Sequence, residues 1–416
     1  MHSLGKHTKT NRTKEDVLLE SIAAIREDWP KFIPHYDTEF WTLASDESTL
    51  AKRLIAETHA YYCLECGKCT ARCPIARVDS NFSPVLNVAR ALRGVVGEIQ
   101  RDGGIWACMV CELCSSACPS DVNYPRFILG LRAEALQSGT GKIHLSELEQ
   151  MFLEGEKNEN YGIYREVKAA KTAIKGQDGG VVTSLLIEGM KNGFFDSAIV
   201  VRRGYSPQVE AVMAEDASDI IAAKGTKYQL IPVPGKLVEA IKEREKKKIA
   251  VVGLPCQVSG IREIQKAMPE IDLFVIGLFC MENFEYPLLK QRVDELLKVD
   301  LDRAERADIT KGNFIVTEGG KQVSCRVSEL QDAVRPNCSF CTDFTSRLAD
   351  ISVGSVGSPA GYSTVITRSR KGEELFRLLR DLEETSADRG EIERLASWKE
   401  NTGFGRLRQE FSTLLS

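Results

Sequence analysis

Two stretches of the chain carry cysteines at one spacing. Cys63, Cys66, Cys69 and Cys73 are followed by Pro74, and Cys108, Cys111, Cys114 and Cys118 are followed by Pro119. Both read C-x2-C-x2-C-x3-C-P, the run that holds cubane [4Fe–4S] clusters. Three thiolates spaced three positions apart on a tight loop wrap three corners of a cube. The fourth, beside a helix-stopping proline, points away to the neighbouring cube. The spacing therefore assigns Cys63, Cys66, Cys69 and Cys118 to one cluster, and Cys108, Cys111, Cys114 and Cys73 to a second. Zinc is the competing ligand, but it usually takes two separated C-x2-C pairs. Disulfides compete only in an oxidising compartment. Two full copies of the run favour an electron conduit.

Four more cysteines could do similar chemistry. Cys256 follows an apolar stretch in Gly253-Leu-Pro-Cys-Gln257, and Cys280 follows another in Gly277-Leu-Phe-Cys280. Ile249 to Leu254 and Leu273 to Phe279 read as buried strands with a helix from Val258 to Met268 between them. So short a crossover implies a parallel pair. Both cysteines then lie at the carboxyl edge of one sheet, where open α/β folds place their ligands. Cys338 and Cys341 add a C-x2-C. Together these four thiolates suffice for a third [4Fe–4S] cluster; a four-cysteine zinc site or unrelated buried thiols fit the spacing as well. Cys325 shares a strand face with Val323 and Val327 and reads as a structural thiol.

Three segments are rich in glycine and small polar residues: Gly176-Gln-Asp-Gly-Gly-Val-Val-Thr-Ser184, Lys224-Gly-Thr-Lys-Tyr228 and Gly354-Ser-Val-Gly-Ser358. Glycines let backbone N–H groups approach a phosphate or a flavin ring, and Thr183 and Ser184 open a helix whose N-terminus suits an anion. Ordinary turns compete at each. No G-x-G-x-x-G fingerprint occurs, which counts against an NAD site of the nucleotide-binding type.

The elements that must position these groups change character along the chain. Val17, Leu18, Ile22, Ala23 and Ile25 fall near helical period, as do Leu50, Leu54 and Ile55. Ser83-Pro84 is an N-cap with proline at the first helical position. Val85, Val88, Ala89, Leu92 and Val96 follow as an apolar face that Gly103-Gly104 would end. Pro125 to Leu136 is a further helix. Residues 1–140 thus form an all-helical domain around two clusters, 141–160 a polar linker with one short helix, and 161–416 a mixed α/β domain. Strands are expected at Ser197–Val201, Val209–Met213, Ile351–Val353 and Ser363–Thr367, with a hairpin turning at Gly319-Gly320. The fold class is α+β, multidomain.

At 416 residues, 43% hydrophobic and 27% charged, the chain has ordinary globular composition. Its net charge of −4 offers no electrostatic case for nucleic acid. Met1 to Asp16 lacks the apolar core of a signal peptide, and Leu273 to Met281 is far short of a membrane span. A reduced, cytoplasmic protein is expected.

Residues 161–416 resemble the β subunit of coenzyme F420-reducing hydrogenase and related F420H2 dehydrogenase subunits. The resemblance is carried by Gly-Gln-Asp-Gly-Gly-Val-Val-Thr, Val-Gly-Leu-Pro-Cys-Gln, Gly-Leu-Phe-Cys, Arg-Pro-Asn-Cys-Ser-Phe-Cys-Thr-Asp and Ser-Val-Gly-Ser-Pro, in order. Residues 1–150 resemble the C component of heterodisulfide reductase, mainly through the two cysteine runs. The resemblance implies one FAD, hydride exchange with the 5-deazaflavin F420 as substrate, and Cys256, Cys280, Cys338 and Cys341 as ligands of a third cluster. It assigns FAD to Gly176, Gln177, Asp178, Gly179, Gly180, Val181, Thr183 and Ser184, to Lys224, Gly225, Thr226, Lys227 and Tyr228, to Pro255 and Gln257, and to Gly354, Ser355, Val356, Gly357 and Ser358. No side chain need act as acid or base. The chain lacks a Cys-Cys-Gly motif, so the implied partners are proteins like the A and B components of heterodisulfide reductase, in a hetero-oligomer. A relay without flavin, or one linked to ferredoxin, is the competing reading.

Overall fold

The structure, a computed structural model, describes residues 49–101, 104–137, 140–204 and 209–415. The helical pattern from Val17 to Ile25, and Gly103, lie outside the described residues. The first described helix is α1 (Thr49–Glu57), whose Leu54 and Ile55 are buried as the period requires. The next, α2 (Pro84–Leu92), starts where its residues dictate: Ser83 Oγ accepts the Leu86 amide at 3.3 Å and Pro84 occupies the first turn. It stops earlier than expected. Gly94 at φ +77° turns the chain, and Val96 opens a separate short helix. After the second cysteine run come α3 (Tyr124–Gln137) and α4 (Thr140–Phe152).

Residues 141–160, expected as a polar linker with one short helix, hold most of α4 and the first strand of a hairpin, β1 (Glu156–Asn158) with β2 (Gly162–Tyr164). Within α4, Glu149 is buried and paired with Arg347 at 3.3 Å and Lys157 at 3.0 Å. Its polar surface misleads because the partner that meets buried Glu149, Arg347, lies about two hundred residues away in sequence.

The α/β part is built on β3 (Glu166–Lys171), α5 (Val181–Lys191), β4 (Ser197–Arg203), β5 (Val209–Ala214), α6 (Val233–Arg244), β6 (Lys248–Gly253), α7 (Pro255–Ala267), β7 (Asp272–Leu278) and α8 (Tyr286–Leu297). A small antiparallel sheet of β8 (Arg306–Thr310), β9 (Asn313–Glu318) and β10 (Lys321–Arg326) follows, with its hairpin turning at Gly319 and Gly320, both at positive φ. Then come β11 (Ile351–Gly354), β12 (Ser363–Thr367), α9 (Arg370–Arg377), β13 (Glu383–Thr385) and α10 (Arg389–Leu415).

Eight strands form the main sheet in the order β13-β3-β12-β11-β7-β6-β4-β5. Strands β4, β6, β7 and β11 are parallel neighbours, which includes the pair expected from the short crossover. Because β12 is antiparallel to both β11 and β3, β3 runs the same way as these four. Five strands therefore deliver their carboxyl ends to one edge. Alternation sets the two faces. Ala198, Val200, Ala250, Phe274 and Ile276 face a core with Leu185 of α5 and Phe376 of α9. Ile199, Val251 and Val275 face a core with Leu237 of α6 and Ile261 of α7. That second core continues without a break into Leu54, Val88 and Phe127 of the N-terminal helices, and residues Thr49–Ser416 form one compact unit.

One buried pair locks the sheet's centre. Asp350 and Arg262 are both fully buried and 3.1 Å apart. The carboxylate also accepts the Val275 amide at 2.7 Å and the Ser369 hydroxyl at 2.6 Å. Burial alone would push this carboxyl up; Arg262 and Lys371 more than offset it and hold it below the usual range. Among the described residues no helix is long and apolar enough to cross a membrane.

Candidate functional site

The two cysteine runs fold alike because their backbones do. In each loop the third and fifth positions lie in the left-handed region: Glu65 (φ +50°) and Gly67 (φ +73°) in the first, Val110 (φ +53°) and Glu112 (φ +69°) in the second. Such turns coil a short loop so that successive cysteines face inward. For β-branched Val110 the conformation is strained, at about 1–3 kcal/mol. Cys73 and Cys118, each preceding proline, are extended at nearly identical angles (φ −78°, ψ 121° and 119°), as pre-proline residues prefer.

Cysteines of the two runs lie close together: Cys63, Cys66, Cys69 and Cys118 line one cavity, which Cys114 of the second run also lines. Burial raises the Cys63 and Cys69 thiol pKa, and the proximity of Cys118 raises each further. Cys73 is pushed up to about 12, first by burial and then by Cys108 and Cys111. Cys111 reaches about 11, and Cys114 rises through burial and all three quartet partners. Tyr124, whose hydroxyl accepts the Asn87 amide at 2.8 Å, lines the first cavity and also feels the charges of Cys108, Cys114 and Cys73.

The third quartet assembles from distant elements. Cys256 is in the first turn of α7, after β6, and Cys280 follows β7. Burial lifts Cys256 to about 12, with Cys341 and Cys338 adding to it, and Cys280 rises through burial and the same two neighbours. The Asn283 amide donates to Cys338 Sγ at 3.4 Å. Two residues of α10 complete the surroundings, and sequence reasoning missed both. Buried Lys399 donates to the Met281 carbonyl and, at 3.4 Å, to the Cys338 carbonyl. Gly403 passes so close that a Cβ would stand 2.6 Å from the Cys341 carbonyl oxygen. A glycine inside a helical stretch was the available signal. Cys325 sits in the core of the small sheet with Phe314 and Val316, as a structural thiol should.

Every cysteine is free of a disulfide. Among the described residues, no three His, Cys, Asp or Glu side chains converge closely enough to share one metal ion. Burial raises the thiol pKa at Cys73, Cys108, Cys111, Cys114, Cys256, Cys280 and Cys341, and a thiol must lose its proton to ligate a metal.

The glycine-rich segments gather at the same sheet edge. Gly176–Ser184 follows β3, and Gly354–Ser358 follows β11. The Gly179 amide donates to Ser363 Oγ at 3.1 Å, at the start of β12. Glycine is required here: a Cβ on Gly180 (φ +71°) would be 1.8 Å from the Ile174 oxygen. Gln177 joins the other segment, accepting the Thr226 amide at 3.3 Å and donating to the Ala307 carbonyl at 3.0 Å. Burial, reinforced by Asp308, raises Asp178 to about 6. Burial and Arg203 lower Lys227 to about 8. Lys227, Thr226 and Tyr228 line a cavity of about 130 Å³ with Arg203, Tyr286 and Phe314. Ser358 Oγ is turned into its own loop, where its one proton can go to the Ser355 carbonyl at 2.8 Å or the Tyr362 carbonyl at 3.0 Å. Gln257 is tied into its own turn. Its side chain accepts the Leu254 amide at 3.0 Å and donates to the Ile231 carbonyl, bracing the turn that presents Cys256.

Comparison with known proteins adds three family matches. Residues 58–122 match a 4Fe-4S dicluster domain; 164–237 and 246–389 match the N-terminal and C-terminal models of the coenzyme F420 hydrogenase/dehydrogenase beta subunit. The beta subunit of coenzyme F420 hydrogenase from Methanosarcina barkeri is 37% identical over 49% of this chain and 72% of the relative. The F subunit of F(420)H(2) dehydrogenase from Methanosarcina mazei is 30% identical over 78% of this chain and 84% of the relative. The coenzyme F420-dependent sulfite reductase of Methanocaldococcus jannaschii is 33% identical, over 66% of this chain and 46% of the relative. A chain in the F420-reducing [NiFe] hydrogenase complex from Methanosarcina barkeri superposes with a TM-score of 0.59 at 32% identity, covering 62% of this chain and 96% of that one.

Proposed function

Because the chain belongs to the family of coenzyme F420 hydrogenase/dehydrogenase beta subunits, we propose that it is the F420-linked oxidoreductase component of a larger complex. In this reading it exchanges a hydride between coenzyme F420 and FAD and relays electrons, in either direction, through three [4Fe–4S] clusters. Partners resembling the A and B components of heterodisulfide reductase receive or supply them, in a cytoplasmic, reducing setting. The division of labour follows residues 1–140 for two clusters and 161–416 for the third cluster and the flavin.

One observation carries the proposal: Cys256 and Cys280, at the ends of two parallel strands, lie near Cys338 and Cys341, downstream of two full C-x2-C-x2-C-x3-C-P runs. Cys63, Cys66, Cys69 and Cys118 would hold the first cluster, Cys73, Cys108, Cys111 and Cys114 the second, and Cys256, Cys280, Cys338 and Cys341 the third. Gly176–Ser184, Lys224–Tyr228 and Gly354–Ser358 would bind FAD, beside Pro255 and Gln257. When bound, the flavin supplies the exchange between paired and single electrons and the clusters carry single electrons. The chain's own task is positioning. Gly179 and Gly180 bring backbone close to the edge where a ring would lie, and Gln177 ties the two flanking loops to one another. Pro255 starts α7 so that Cys256 stands at the strand end.

Substituting Cys338 with Ala tests this. Anaerobic titration with reduced F420 should still bleach the flavin, while iron content falls by about a third and the N-terminal clusters stay oxidised. Undiminished iron and unchanged onward reduction would sink the reading, as would purified protein without flavin.

A further inference from the structure

Between the second and third cysteine quartets lies a cation that the motif spacing does not explain. Arg335 is 5% exposed. Its guanidinium pairs with Glu112 at 2.9 Å and with Glu285 at 3.4 Å, and Asn337 donates to the same Glu112 carboxylate. Glu112 directly follows Cys111 of the second quartet. The main chain of Arg335 is tied to the third. Its amide donates to the Asn283 carbonyl at 2.9 Å, and its carbonyl accepts the Cys338 amide at 2.9 Å. Asn283 in turn donates to Cys338 Sγ. One residue therefore reaches the second quartet with its side chain and the third with its backbone. Its positive charge bears on Cys111 of one and Cys256 of the other.

A second arginine stands at the same boundary. Arg132 donates to the carbonyls of Ile105 at 2.7 Å, Trp106 at 3.2 Å and Cys108, and its charge interacts with Cys108 and Cys341. Two cations therefore bear on members of both quartets.

We propose that Arg335, clamped by Glu112, is a positioning residue that fixes the second and third clusters relative to each other and sets their reduction potentials together. The proposal rests on the three-cluster reading above. Reducing a cluster adds negative charge, and a desolvated cation beside it favours that change far more than one in water. Glu112 partly cancels the cation, so the two residues act on the potentials with opposite sign.

The test is an anaerobic redox titration of cluster-replete full-length protein, following each cluster by electron paramagnetic resonance, with Cys338→Ala identifying the third signal. Arg335→Gln should shift the reduction equilibrium of two clusters about tenfold toward the oxidised form, about 59 mV for a one-electron couple, leaving the first in place. Glu112→Gln should move the same two the other way, and Arg335→Lys should stay near the unsubstituted values. If Arg335→Gln does not accumulate, the sign of the Glu112→Gln shift decides. Three signals that ignore both variants, or that all shift alike, would overturn this inference alone. Fewer than three signals from the unsubstituted protein would overturn the cluster assignment and the inference with it.

Discussion

In the proposed reading the chain builds the same kind of four-thiol site in two ways. In the helical half, each loop supplies three cysteines within seven residues and borrows the fourth from its twin. In the α/β half, the quartet draws on two strand ends and a pair of cysteines more than fifty residues further on. The first kind depends on local backbone, on the left-handed turns at Glu65, Gly67, Val110 and Glu112. The second depends on the register of β6 against β7, where Gly253 pairs with Gly277, and on everything that holds that register. A site made from a loop tolerates a loosened sheet; a site made from a sheet does not.

The sharpest way to break this contrast is Asp350→Ala. It leaves Arg262 buried without its partner and frees the Val275 amide in the strand that leads to Cys280. A stability loss of about 3–5 kcal/mol is expected. In a denaturant titration the third cluster's signal should vanish before the N-terminal pair. Simultaneous loss would mean that the halves unfold as one and that the contrast is only one of assembly.

Gly260→Ala should have a middling effect. Its new Cβ would stand 2.1 Å from Met109 Cγ, which displaces the second cysteine loop from α7. Overpacking of this kind costs about 1–3 kcal/mol. Adding Met109→Ala should recover part of that in a double-mutant cycle. No recovery would show that the two side chains are not in conflict. The smallest effect belongs to Arg77→Ala. Its 3.3 Å pair with Glu243 also joins the halves but at the surface, so melting should change by less than about 1 kcal/mol.

How much of this could be read from sequence follows the same division. The N-terminal cysteine loops were legible because every one of their cysteines lies in a repeated run. The β6–α7–β7 unit was legible because a short crossover admits only a parallel pair. Less was legible where partners are remote. Glu166–Lys171 alternates weakly, yet it becomes a strand of the main sheet, one in from its edge, because β12, some two hundred residues later, pairs with it. The polar composition of α4 read as a linker because Arg347 and Glu263, which pair with Glu149 and His144, cannot be guessed from local pattern. Arg335 and Lys399 were passed over for the same reason: a lone basic residue says nothing until its surroundings are known.

The unbroken core between the helical half and the sheet has a practical side. Natural relatives can carry the two parts on separate chains only if each finishes its own surface. Here Met109 fills the notch left by Gly260, and Phe127 and Ile261 belong to one interior. Scissors applied between them would leave two raw faces, each greasy and shaped for the other, in place of two tidy proteins.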